Sequence, residues 1–111
     1  MVIQFQPTNF KADQKLLDVI SNKLEKMSRM HQRALDATVY LKVDKADNKQ
    51  NKIIEIKINV PESQLFVSEA DQTFENALDK AIAGLRNQLE RLKGKLEMRE
   101  SVDINQSLQE P

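Results

Sequence analysis

In ATVYLKVDKADNKQNKIIEIKINV, residues 37–60, apolar and polar side chains alternate, stop, and alternate again. Val39, Leu41 and Val43 are set against Thr38, Tyr40 and Lys42, while Ile54, Ile56, Ile58 and Val60 are set against Glu55, Lys57 and Asn59. Successive side chains of a strand point to opposite faces, so each segment offers one apolar and one wet face. The stretch between them, DKADNKQNK at 44–52, has the composition of a turn. The two segments therefore predict a hairpin whose apolar face needs a cover.

The rest of the chain supplies further strands and that cover. In VIQFQ, residues 2–6, Ile3 and Phe5 alternate with Gln4 and Gln6 as in a short half-buried strand, which Pro7 is expected to stop. From Asp13 to Met30 the period becomes helical: Leu16, Leu17, Ile20, Leu24 and Met27 share a face, and Asp13 is placed to cap the start. Downstream, PES at 61–63 reads as a turn and QLFVSEA at 64–70 as a last strand. From Thr73 to Arg99 a longer helix places Phe74, Leu78, Ala81, Ile82, Leu85, Leu89, Leu92 and Leu96 on one face. Glu69, Asp71, Glu75 and Asp79 lie at or near its start, where carboxylates complement the helix dipole.

The order is β-α-β-β-β-α with one apolar face per element, which predicts an α+β domain: a four-stranded sheet with two helices packed on one face. Its expected core is Ile3, Phe5, Leu16, Ile20, Leu24, Val39, Leu41, Ile56, Ile58, Leu78, Ile82, Leu85 and Leu89. Residues 1–99 are expected to form this domain and 100–111 a flexible C-terminal tail. The last turns of the second helix are expected to project beyond the sheet.

Composition narrows the chemistry. A length of 111 residues leaves room for one domain, and the absence of cysteine removes disulfides, thiolate metal sites and cysteine nucleophiles. The sequence shows neither a leader-like start nor an apolar run of membrane-spanning length, so a cytoplasmic protein is expected. His31, the single histidine, fits the end of the first helix better than a metal site. Ser21, Ser28, Ser63 and Ser68 lack a nucleophile elbow, there is no glycine-rich phosphate loop, and carboxylates such as Glu55 and Glu69 fit solvated strand faces. No catalytic residue, metal, cofactor, small-molecule substrate or membrane partner is expected, and a monomer in isolation is.

Seventeen basic and seventeen acidic residues cancel to a net charge of zero, yet the charge is unevenly distributed. At 100° per residue, Lys80, Arg91 and Lys95 fall on one flank of the second helix, with Gly84 and Asn87 in the same stripe. Asp79, Glu90 and Glu97 lie on the other flank near Arg86 and Lys93, which are expected to be merely solvated. On the first helix Lys15, Lys26, Arg29 and Arg33 form a stripe with Asn22, bordered by Asp18 and Glu25. Were the helices side by side, the two ridges would merge into a positive surface suited to a phosphate backbone. Charge alone fits ordinary solvated helix faces better.

The wording of the helices adds to this reading. The segment DQKLLDVISNKLEKMSRM resembles a capped helix with basic positions around a KLEK-like core, and FENALDKAIAGLRNQLERLKGK carries Ala77, Leu78 and Asp79 followed by Leu85, Gln88, Leu89, Arg91 and Lys93 or Lys95. Together with the element order, this resembles the ribosome hibernation-promoting factor family, which includes the ribosome-associated inhibitor protein Y and carries an older description as sigma-factor modulators. The resemblance runs from Val2 to about Arg99 and fits the family's short form, without the C-terminal dimerisation domain. It implies a fold related to double-stranded-RNA-binding domains and a non-enzymatic inhibitor. The implied partner is the small ribosomal subunit with its ribosomal RNA, bound in the mRNA and tRNA channel to silence translation under stress or in stationary phase. It also implies RNA contacts at Lys23, Lys26, Lys80, Arg91 and Lys95, to which the stripe adds Arg29. Gly84 and Asn87 depart from the family's frequent Lys or Arg at these places, and Glu90 adds a carboxylate. The alternative expectation is a protein-binding regulatory module without direct RNA binding.

Overall fold

A computed structural model describes residues 1–8, 10–30, 34, 36–44 and 50–109, with side chains as far as Gly94. The elements are β1 (Val2–Thr8), α1 (Gln14–Met30), β2 (Asp36–Val43), β3 (Lys52–Val60), β4 (Ser63–Asp71) and α2 (Phe74–Gln109). The four strands form one sheet in the order β1-β2-β3-β4, with β1 parallel to β2 and the other pairs antiparallel.

The hairpin has the expected phase. Val39 pairs with Ile56 and Leu41 with Ile54, all four buried, while the opposite face pairs Thr38 with Lys57 and Tyr40 with Glu55. A slip of one residue would carry Glu55 and Lys57 into the core, and that cost fixes the register. The next connection is a tight turn at Pro61 and Glu62 with Val60 opposite Ser63. Glu62 has φ of 64°, the left-handed sign that a type II turn has at its third position, after the proline it favours at the second.

Pro7 does not stop β1: it lies inside the strand opposite Leu41. An edge strand pairs on one side only, and proline is tolerated there. The second difference is the end of α2, which continues past Arg99, its expected last residue, to Gln109. No glycine or proline intervenes between Gly94 and Pro111, so nothing local breaks the helix. At about 1.5 Å per residue its 36 residues account for most of the 66 Å long axis of the molecule.

Both helices start at side-chain caps. Asp13 Oδ1 accepts the Leu16 amide at 2.8 Å, and Thr73 Oγ1 accepts the Asn76 amide at 3.1 Å. From there α1 buries Ile20, Leu24 and Met27, and α2 buries Ala77, Leu78, Ala81, Ile82, Leu85 and Leu89 against the inner faces of β2, β3 and β4. Ile3 and Phe5 sit at the margin of this core, half-buried, because β1 is an edge strand, and Leu16, in the first turn of α1, is likewise half-buried. Phe10 stacks on Phe74 with ring centroids 5.1 Å apart, joining the loop after β1 to the start of α2. Among the described residues no polar or charged side chain is buried.

Leu85 is fully buried under α2. Leu85→Ala should destabilise the domain by about 2–5 kcal/mol, read as a lower denaturation midpoint at unchanged m-value. A midpoint equal to wild type would show that this face does not carry the core.

Candidate nucleic-acid interface

The core face of α2 leaves two flanks, and the sheet assigns them different surroundings. One flank lies over the outer edge of β4. There Lys80 Nζ pairs with Asp71 Oδ2 at 2.8 Å and donates to the Ala70 carbonyl at 3.1 Å. Two turns on, Gln88 Nε2 donates to the Phe66 carbonyl at 2.8 Å. Between them Gly84 faces Val67 so closely that a Cβ there would come within 3.1 Å of Val67 Cγ2. Arg91, seven residues beyond Gly84, continues this flank by helical period and is exposed.

The other flank faces α1. Asp79 Oδ1 accepts from Lys23 Nζ at 2.6 Å, a contact that spans the two helices. Beside it Lys23, Lys26, Asp79, Ile82, Ala83 and Arg86 line an open groove of about 330 Å³, in which two apolar side chains stand with three cations and one carboxylate. Lys26 and Arg86 make no ion pair among the described residues. Arg29, exposed and three residues beyond Lys26, extends the same side of α1.

This geometry places the expected site residues on two separate surfaces. Lys23 and Lys26 come together, and Arg86, expected to be a bystander, joins them. Lys80 and Arg91 are turned away, so the merged ridge built from the Lys80 flank does not form. The physical reason is the strand order, which seats α2 over β3 and β4 with its Lys80 flank outermost and its Asp79 flank toward α1. Gly84 is likewise a close-approach point against β4 rather than a gap in a solvated stripe. The side chains of Lys95 and Glu97, and residues His31 and Arg33, lie outside the described residues. The spacing of Asp79, Ile82, Ala83 and Arg86 at i, i+3, i+4 and i+7 is the sequence signal for the groove wall, but it does not say what the wall faces.

The Asp71–Lys80 pair is electrostatically coupled. The hydrogen bond from Lys80, then that from the Gln72 amide at 2.7 Å, holds the Asp71 carboxyl below its ordinary value. Reciprocally, the bond to Asp71 raises Lys80. No group of three or more His, Asp or Glu side chains converges as a metal site among the described residues, and none of their helices is long and apolar enough to cross a membrane.

Comparison with known proteins agrees with this architecture. The sigma 54 modulation protein / S30EA ribosomal protein family matches residues 3–97, and the chain belongs to that family. A ribosomal subunit interface protein from Coxiella burnetii superposes with a TM-score of 0.75 at 18% identity, covering 85% of this chain and 99% of that one. The N-terminal domain of Thermus thermophilus Protein Y superposes with a TM-score of 0.71 at 24% identity, covering 83% and 99%. Both share the fold. No curated protein sequence matches the chain significantly.

A depressed carboxyl stabilises the fold above its unfolded value, and that contribution is lost as pH falls through the lower folded value. Lys80→Met removes the largest cause, so Asp71 should titrate closer to its ordinary value and its share of the acid limb of the stability profile should shrink. Carboxyl chemical shifts followed through an acid titration measure this. An unmoved Asp71 would mean that the pair is not formed in solution.

Proposed function

We propose that this protein binds the small ribosomal subunit through its ribosomal RNA, occupies the mRNA and tRNA channel, and silences translation sterically under stress or in stationary phase. The observation that carries this reading is the inter-helix groove, where Lys26 and Arg86 converge without an ion-pair partner among the described residues. An uncompensated cation on an exposed rim is available to a phosphate, and each phosphate neutralised releases counterions. Family membership supplies the ribosomal context. In this reading Lys23, Lys26, Arg29 and Arg86 form the principal phosphate-facing set, while Lys80, Arg91 and Lys95 belong to a second flank that meets RNA only if the partner wraps around α2. The rival reading, a protein-binding regulatory module, draws on the sigma 54 half of the family description.

Cosedimentation with purified small subunits over a salt series tests this. Lys26→Glu with Arg86→Glu should weaken binding by at least about tenfold and lower the salt slope by about one for each phosphate that is no longer neutralised. Arg91→Glu should cost less. Equal losses from both flanks would show that overall charge governs association, and absence of cosedimentation by the wild-type chain would favour the regulatory module.

A further inference from the structure

The Lys80 flank of α2 does something the RNA reading leaves unexplained. A sheet edge presents unpaired backbone groups to any strand that approaches, and β4 is such an edge. Its Phe66 and Ala70 carbonyls point away from β3, because each accepts a side-chain donor from α2: Gln88 Nε2 at 2.8 Å and Lys80 Nζ at 3.1 Å. These donors sit where the amides of a fifth strand would sit. Gly84, midway between them, lets α2 come close enough to Val67 for both to reach. Asp71 anchors Lys80 from the end of the same strand.

We propose that Lys80 and Gln88 lock the β4 edge against addition of β4 from a second copy of this chain. The identity of the excluded strand follows from β4 itself. Residues along a strand alternate in direction, so Phe66, Ser68 and Ala70 all present their backbone groups outward. Antiparallel pairing of two copies about Ser68 sets Ser68 opposite Ser68 and Phe66 opposite Ala70. Glu69 then faces Val67 and Asp71 faces Leu65, so no like charges meet across the pair. Phe66 is half exposed on the open face, and this pairing would cover part of it. With the lock in place, the outward carbonyls of Phe66 and Ala70 already hold side-chain donors.

The test removes the donors and keeps the aliphatic bulk. Lys80→Met with Gln88→Leu should shift the weight-average mass in sedimentation equilibrium toward twice the monomer value as concentration rises, with slowed amide exchange at Phe66 and Ser68. Adding Ser68→Pro, which removes the outward amide at the centre of the pair, should restore the monomer. A folded double variant that stays monomeric over its soluble range overturns the proposal. So does association that survives Ser68→Pro, or a wild-type chain already paired through β4. Should the double variant lose its circular-dichroism signature of folding, Gln88→Leu alone decides by the same readouts: association abolished by Ser68→Pro supports the lock, and a folded monomer overturns it.

Discussion

The seating of α2 on β3 and β4 is the constraint on which the rest of the molecule depends. Leu78, Leu85 and Leu89 are buried on its underside, and together with Ala81 they occupy the space above Ile56, Ile58, Leu65 and Val67. Burial of this kind is non-directional and would tolerate several orientations of the helix. What selects one is the set of directional contacts at its flanks: the Asp79–Lys23 pair on one side, and the Lys80 and Gln88 hydrogen bonds to β4 on the other. Gly84 makes the approach on the β4 side possible. Once the helix is fixed in rotation about its axis, every charge on it is assigned either to the groove with α1 or to the sheet edge.

That assignment explains why the fold was more legible in the sequence than the site. Alternation in 37–43 and 53–60 and the helical period in 13–30 and 73–99 are local properties, and the buried set matches them closely, with Ile20, Leu24, Val39, Leu41, Ile56, Ile58, Leu78 and Leu85 all enclosed. Pro7 misled because a local rule about proline ignores whether a strand has neighbours on one side or two. The placement of the site residues was harder to read for a related reason. Periodicity separates Lys80 and Arg91 from Asp79 and Arg86, but which flank meets α1 depends on the order of strands beneath, a non-local fact. Lys23 and Lys26, singled out by the family resemblance, line the groove beside Arg86.

The zero net charge is no obstacle to an electrostatic role, because interactions act over roughly a Debye length, about 8–10 Å at moderate salt, and not over the whole molecule. Within the groove the count is three cations to one carboxylate. Asp79 is not simply a subtraction from that count. It ties the Lys23 ammonium across the gap between helices, so part of the field is held in a defined place, while Lys26 and Arg86 make no ion pair among the described residues. An exposed pair of this kind adds little to stability, and its consequence here is positional.

The two flanks of α2 also divide the lysines by availability. Lys80 already has an ion pair with Asp71 and a hydrogen bond to a strand carbonyl, and its ammonium is raised toward the charged form by that pairing. A phosphate recruiting Lys80 must compete with both partners and would leave the Ala70 carbonyl without its donor. A phosphate recruiting Lys26 or Arg86 meets no competing carboxylate partner of either cation among the described residues. The same residue type on the same domain is therefore a different ligand depending on what the fold has already given it to hold, and the difference is set by which way α2 faces.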